Sequence, residues 1–127
     1  MENKFKHLRI ENKPHLPEPW YNYPVLAEGF ETIVVYLKDR EDIKVRIGIQ
    51  DGVWTAGYSF HIGDSGGSRN PGRKWGEFAS KDDAILYVLG EVEANLKLQR
   101  KRPVAALNAL EREIKKVRFD KLQLSLF

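Results

Sequence analysis

His7, His15 and His61 are the side chains of this chain best suited to moving a proton or holding a metal near neutral pH. Their separations fit neither one helix face nor a finger-like ligand pattern, and the absence of cysteine excludes thiolate metal sites. Glu91 and Glu93 offer two carboxylates, but two residues apart on a helix they diverge and cannot act as an acid–base pair. Arg69, Arg73 and Lys74 flank a glycine-rich stretch whose successive backbone amides could hold a phosphate. That stretch lacks the Lys-Ser or Lys-Thr ending of a P-loop. Trp54, Tyr58 and Phe60 would suit either base stacking or a core, and sharing a strand face opposite isoleucines favours the core. No set amounts to a catalytic site, so the chain reads as a non-enzyme without a cofactor.

Gly63-Asp64-Ser65-Gly66-Gly67 resembles the nucleophile motif of the trypsin-like serine proteases. That resemblance implies Ser65 as nucleophile and the neighbouring glycine amides as an oxyanion hole. The family also needs two β-barrels, a distant histidine and a distant buried aspartate. A chain of 127 residues is too short for them, His61 lies in the adjoining strand, and Ser68 replaces the family's following proline. The segment reads instead as a glycine-rich loop joining two strands.

The last five residues carry a different message. Gln123-Leu124-Ser125-Leu126-Phe127 resembles, residue for residue, the short peptide by which bacterial replication and repair proteins dock on the β sliding clamp of DNA polymerase III. The resemblance implies polar recognition by Gln123, orientation by Leu124, and apolar anchoring by Leu126 with Phe127. Three apolar side chains entering a partner's cleft give roughly 5–9 kcal/mol of gross transfer energy. Ordering a tail costs several kcal/mol of that, so a micromolar contact near about −8 kcal/mol is the ceiling. At a chain end such residues are expected to be accessible. Alternation of Leu122, Leu124 and Leu126 with Gln123 and Ser125 also fits a short half-buried strand. Trp54, Gly57, Tyr58, Trp75 and Phe78 resemble small uncharacterised modules of phages and mobile elements, which assigns no role.

The net charge of +3 is unevenly placed. Arg100, Lys101, Arg102, Arg112, Lys115, Lys116, Arg118 and Lys121 face only Glu111, Glu113 and Asp120 within residues 100–127, leaving that part +5 and the rest −2. Two functions compete. The first is a small adaptor or inhibitor, of host or phage origin, that binds the sliding clamp through residues 123–127. The alternative is a nucleic-acid-binding module using Arg100, Lys101, Arg102, Lys115, Lys116 and Arg118, with Arg69, Arg73 and Lys74 of the glycine loop. A hydrophobic share of 42% permits one real core, and no apolar run approaches a membrane span. The first residues, Met1 to His7, lack the apolar segment of a secretion signal, so a cytoplasmic location is expected.

The elements that must position these residues read as an α+β fold: an antiparallel meander of three to four strands packed by one helix, then a second amphipathic helix and a tail. Residues 1–27 form a Pro- and aromatic-rich arm, 28–100 the body, 101–118 the basic helix, and 119–127 the clamp-binding tail. Ile33-Val34-Val35-Tyr36-Leu37 reads as a buried central strand. Residues 43–50 and 53–62 alternate about Asp51-Gly52, a turn needing positive φ. With Gln50 opposite Val53, apolar residues meet at Ile49/Trp54, Ile47/Ala56, Val45/Tyr58 and Ile43/Phe60. Lys74 to Phe78 reads as the fourth strand. Ser80 caps a helix with Asp83 in capping-box position, and Ile85, Val88, Leu89, Val92 and Leu96 make its stripe. Leu107, Leu110, Ile114 and Val117 stripe the second helix, and the stripe fails at Lys121.

Overall fold

The computed structural model describes residues 25–125. Most of the expected arm (residues 1–24) lies outside them, as do Leu126 and Phe127. Strands β1 (Glu31–Lys38), β2 (Glu41–Gln50), β3 (Val53–Ile62) and β4 (Ser65–Arg69) form one antiparallel sheet in the order β1-β2-β3-β4. A 3-10 turn at Arg73–Trp75 leads to helix α1 (Lys81–Lys97), and helix α2 (Val104–Ser125) follows.

The hairpin β2–β3 has the expected register: Gln50 pairs with Val53, Ile49 with Trp54, Ile47 with Ala56, Val45 with Tyr58 and Ile43 with Phe60. Asp51 (φ 53°) and Gly52 (φ 84°) both take positive φ, the backbone that matches the twist of a two-residue hairpin. Ile43, Val45, Ile47, Ala56, Phe60 and Ile62 are buried from this face. They pack under Ile85, Val88, Leu89, Val92 and Leu96 of α1 and Leu107, Leu110 and Val117 of α2. Helix α1 begins as expected, with Ser80 Oγ accepting the Asp83 N–H at 3.1 Å.

Three expectations need correction. β1 is an edge strand, with Val34 and Leu37 exposed. A meander closed by two-residue turns puts its first strand at the rim, and a bulge between Val34 and Tyr36 splits the apolar run between two faces. The fourth strand is Ser65–Arg69, while Phe78 makes only a bridge to Trp54. Strand pairing needs backbone groups rather than apolar side chains, and Gly63 (φ 61°) turns the chain so that Ser65 meets Ile62. Finally, α2 continues through Lys121 to Ser125 instead of stopping at residue 118. The break in its apolar stripe does not end it, because the Lys121 ammonium donates to Asp83, a buried carboxylate on α1.

On the opposite sheet face the segment around Leu26 is tied to the segment around Asn70. Leu26 N–H donates to Pro71 O at 2.8 Å, Asn70 Nδ2 donates to Leu26 O at 2.9 Å, and Arg46 donates to Asn70 Oδ1 at 2.9 Å. This strap lies over Gly48 and Gly57, where the missing side chains make room. A Cβ on Gly57 would stand 2.1 Å from Arg69 O and 2.8 Å from Asn70 C.

Two glycine substitutions separate close approach from backbone entropy. Gly57→Ala should lower stability in urea unfolding by about 3 kcal/mol or more, since backbone must move. Gly90→Ala, on the exposed face of α1 with open space around the new methyl, should raise it by about 0.5–1 kcal/mol.

Candidate functional site

Helix α2 organises both candidate surfaces. Its 22 residues span about 33 Å, with a basic loop before its first turn and the Gln-Leu-Ser-Leu-Phe sequence at its other end. Near that far end, Lys121 ties α2 to Asp83 in the first turn of α1, and Lys81 Nζ donates to Glu31 Oε1 at 2.7 Å. Asp83 is 1% exposed, so its charge is held by Lys121 and favoured by the helix N-terminus. Beyond Lys121, Gln123 is half-buried, and the backbone stays helical through Leu124 and Ser125. Leu126 and Phe127, the expected apolar anchor, lie outside the described residues. Phe119 and Leu122, 59% and 58% exposed, place two large apolar side chains on the solvent side immediately before the motif.

The cations of the glycine segment are engaged internally. Arg69 is ion-paired with Glu91, and its guanidinium lies 4.8 Å from the ring centres of both Tyr58 and Trp75. Arg73 is ion-paired with Glu77 and with Asp51 at 3.1 Å, and the hydrogen bond to Glu77 is the main reason its pKa is raised. Lys74 sits 5.1 Å over Trp75. Ser65–Arg69 is extended along β3, so its amides do not converge on one point as a phosphate nest would. His61 Nδ1 is 3.1 Å from Arg40 O, and His61 pairs across the sheet with Gly66 rather than Ser65. Phe60 is buried in the core, Glu91 holds Arg69, and Glu93 faces Lys97 at 3.7 Å.

Lys115, Lys116 and Arg118 are exposed on α2. Lys115 is 3.0 Å from Glu111, and its hydrogen bond and charge hold the Glu111 carboxyl below its ordinary range. Arg100, Lys101 and Arg102 lie apart from these, in the loop before α2. Among the described residues no carboxylate pairs with any of the three. They edge a cleft of about 610 Å³ between the loop joining the helices, the β3–β4 turn and Tyr36 and Glu41 at the β1–β2 end. The sequence names the three cations but carries no sign of this cleft, because its other walls come from segments far away in the chain.

Among the described residues no group of three or more histidine or carboxylate side chains could hold a metal, and no helix is long and apolar enough to cross a membrane. Comparison with protein-family models, with curated proteins and with solved structures finds no match to this chain.

Removing the Lys121 ammonium leaves Asp83 carrying a buried charge with one partner fewer. Lys121→Ala should lower stability in urea unfolding by about 2 kcal/mol, less than for a fully buried pair because Lys121 is 36% exposed. Lys116→Ala, on the exposed face of the same helix, should change it by less than about 0.5 kcal/mol.

Proposed function

We propose that this chain docks on the bacterial β sliding clamp through Gln123, Leu124, Ser125, Leu126 and Phe127, acting as a small adaptor or as an inhibitor that occupies the cleft used by other clients. The observation that carries the reading is the order of those five residues. The end of α2 suits it. Lys121 fixes the helix to Asp83 of α1 two residues before the motif begins, which gives the motif a fixed point to follow. The final carbonyls of a helix have no partner within it, and opening the last turn costs little. Phe119 and Leu122 extend the apolar surface toward the motif. Such a contact is weak and mainly apolar, which suits recruitment or competition and not a permanent complex.

Surface plasmon resonance with purified clamp tests this directly. The full chain should bind with a micromolar Kd that changes less than about threefold between 0.1 and 0.5 M salt, because few charges take part. A chain lacking residues 123–127 should bind at least about tenfold more weakly, a loss of about 1.4 kcal/mol or more. Equal binding by the two chains, or no binding by either, overturns the reading. Loss of most of the affinity across that salt range would instead indicate contact through the basic residues.

A further inference from the structure

We propose that the cleft at the start of α2 binds a nucleotide: a phosphate ester carried on a flat, hydrogen-bonding ring. This site is independent of clamp docking and lies at the other end of the helix. Its volume, about 610 Å³, is in the range of small-ligand pockets. Its cations are the first argument. Lys44, Arg69, Arg73, Lys81, Lys97, Lys115 and Lys121 each lie within ion-pair distance of a carboxylate, while Lys38, Arg40, Arg112, Lys116 and Arg118 have no such partner among the described residues but line no part of the cleft. Arg100, Lys101 and Arg102 have no such partner among the described residues, and all three edge one cavity. Consecutive like charges repel in the free protein, and an entering phosphate relieves that repulsion with charge-assisted hydrogen bonds.

The walls are the second argument. The loop is tied down by Gln99 Nε2, which donates to Ile62 O at 3.1 Å, and Pro103 restricts the backbone before α2. The β3–β4 turn is held by Gly63 N–H donating to Glu41 Oε2 at 2.8 Å. A cleft with restrained walls binds at a lower ordering cost than an exposed basic stretch. Ile62 and Ala106, both almost fully buried, supply an apolar floor, and Tyr36 supplies an aromatic side chain. The cleft also contains acids, Glu41 and Asp64. These oppose a ligand that is anionic throughout. They favour one with an anionic end and hydroxyl or amino donors elsewhere, which is the distribution of groups on a nucleotide.

The phosphate ester could come from a free nucleotide or from the phosphorylated end of a strand. Calorimetric titration of the full chain with four probes distinguishes these: inorganic phosphate, AMP, and a ten-nucleotide single strand with a 5′-phosphate or a 5′-hydroxyl. AMP or the 5′-phosphorylated strand should bind at least tenfold more tightly than inorganic phosphate and than the 5′-hydroxyl strand. Whichever of those two binds more tightly identifies the source. The Arg100→Ala/Arg102→Ala variant should lose at least tenfold in affinity for that probe, while Lys115→Ala/Lys116→Ala stays within twofold of the parent. All four substituted positions are exposed, and unchanged thermal unfolding would show that the variants remain folded. The proposal is overturned if no probe binds or if the arginine variant binds like the parent. It is equally overturned if both strands bind alike and both double variants weaken them alike, since that marks diffuse attraction to a basic surface.

Discussion

Positive φ at Asp51 and Gly52 is the constraint from which the rest of the structure follows. Side chains alternate across a strand, so a slip of one residue in β2 against β3 would turn Ile43, Val45 and Ile47 away from the helices and bring Lys44 and Arg46 beneath them. The turn permits one register, and in that register Phe60, Tyr58 and Ala56 complete the inner face. Both helices are positioned by this surface. α1 lies over β2 and β3, while α2 packs beside it and reaches β1. Residues far from the hairpin, including Asp83 and Lys121, therefore meet because two residues at its tip select the pairing.

The two sheet faces are covered by different means. One uses area: about twenty buried apolar side chains at roughly 25 cal/mol per Å² removed from water. The other uses proximity, with Leu26 and Phe30 lying against Gly48 and the backbone of Arg69 and Asn70 against Gly57. That arrangement explains why the glycines at positions 48 and 57 sit in otherwise regular strands, where glycine ordinarily weakens pairing. It also explains Arg46. On a face open to water it would be a solvated cation, but here it holds Asn70, which in turn holds Leu26.

Elements built by local periodicity were legible in the sequence. The hairpin register, the Ser80 cap and the stripes of both helices follow from spacing and turn chemistry, and each appears in the structure. What was not legible depends on partners distant in sequence. Ser65–Arg69 has no apolar pattern because it is an edge strand whose pairing is done by backbone. Lys121 looked like a helix end because its partner, Asp83, stands 38 residues away. Arg69 and Arg73 looked available for phosphate, yet Glu91, Asp51 and Glu77 engage them. The five residues that resemble the docking peptide were readable from their order alone, and the cleft proposed to bind a nucleotide only from its assembled walls.

The charge on α2 and its preceding loop divides along the helix. Toward the far end, Lys115 and Lys121 are paired with Glu111 and Asp83, which lowers the local charge, although Lys116 and Arg118 remain exposed there. At the near end, Arg100 to Arg102 have no carboxylate partner among the described residues. About 33 Å of helix separates these regions, several times the roughly 8 Å over which exposed charges act at physiological salt. A phosphate in the cleft would then change the potential at Gln123 very little. The two proposed contacts are electrostatically insulated from each other, and any coupling between them would pass through the body of α2 and its attachments to α1 and β1. Among the described residues the Lys121–Asp83 pair is the ion pair that joins the motif end of α2 to the other helix, so it is a place where such coupling would act, beside the apolar packing of Val117.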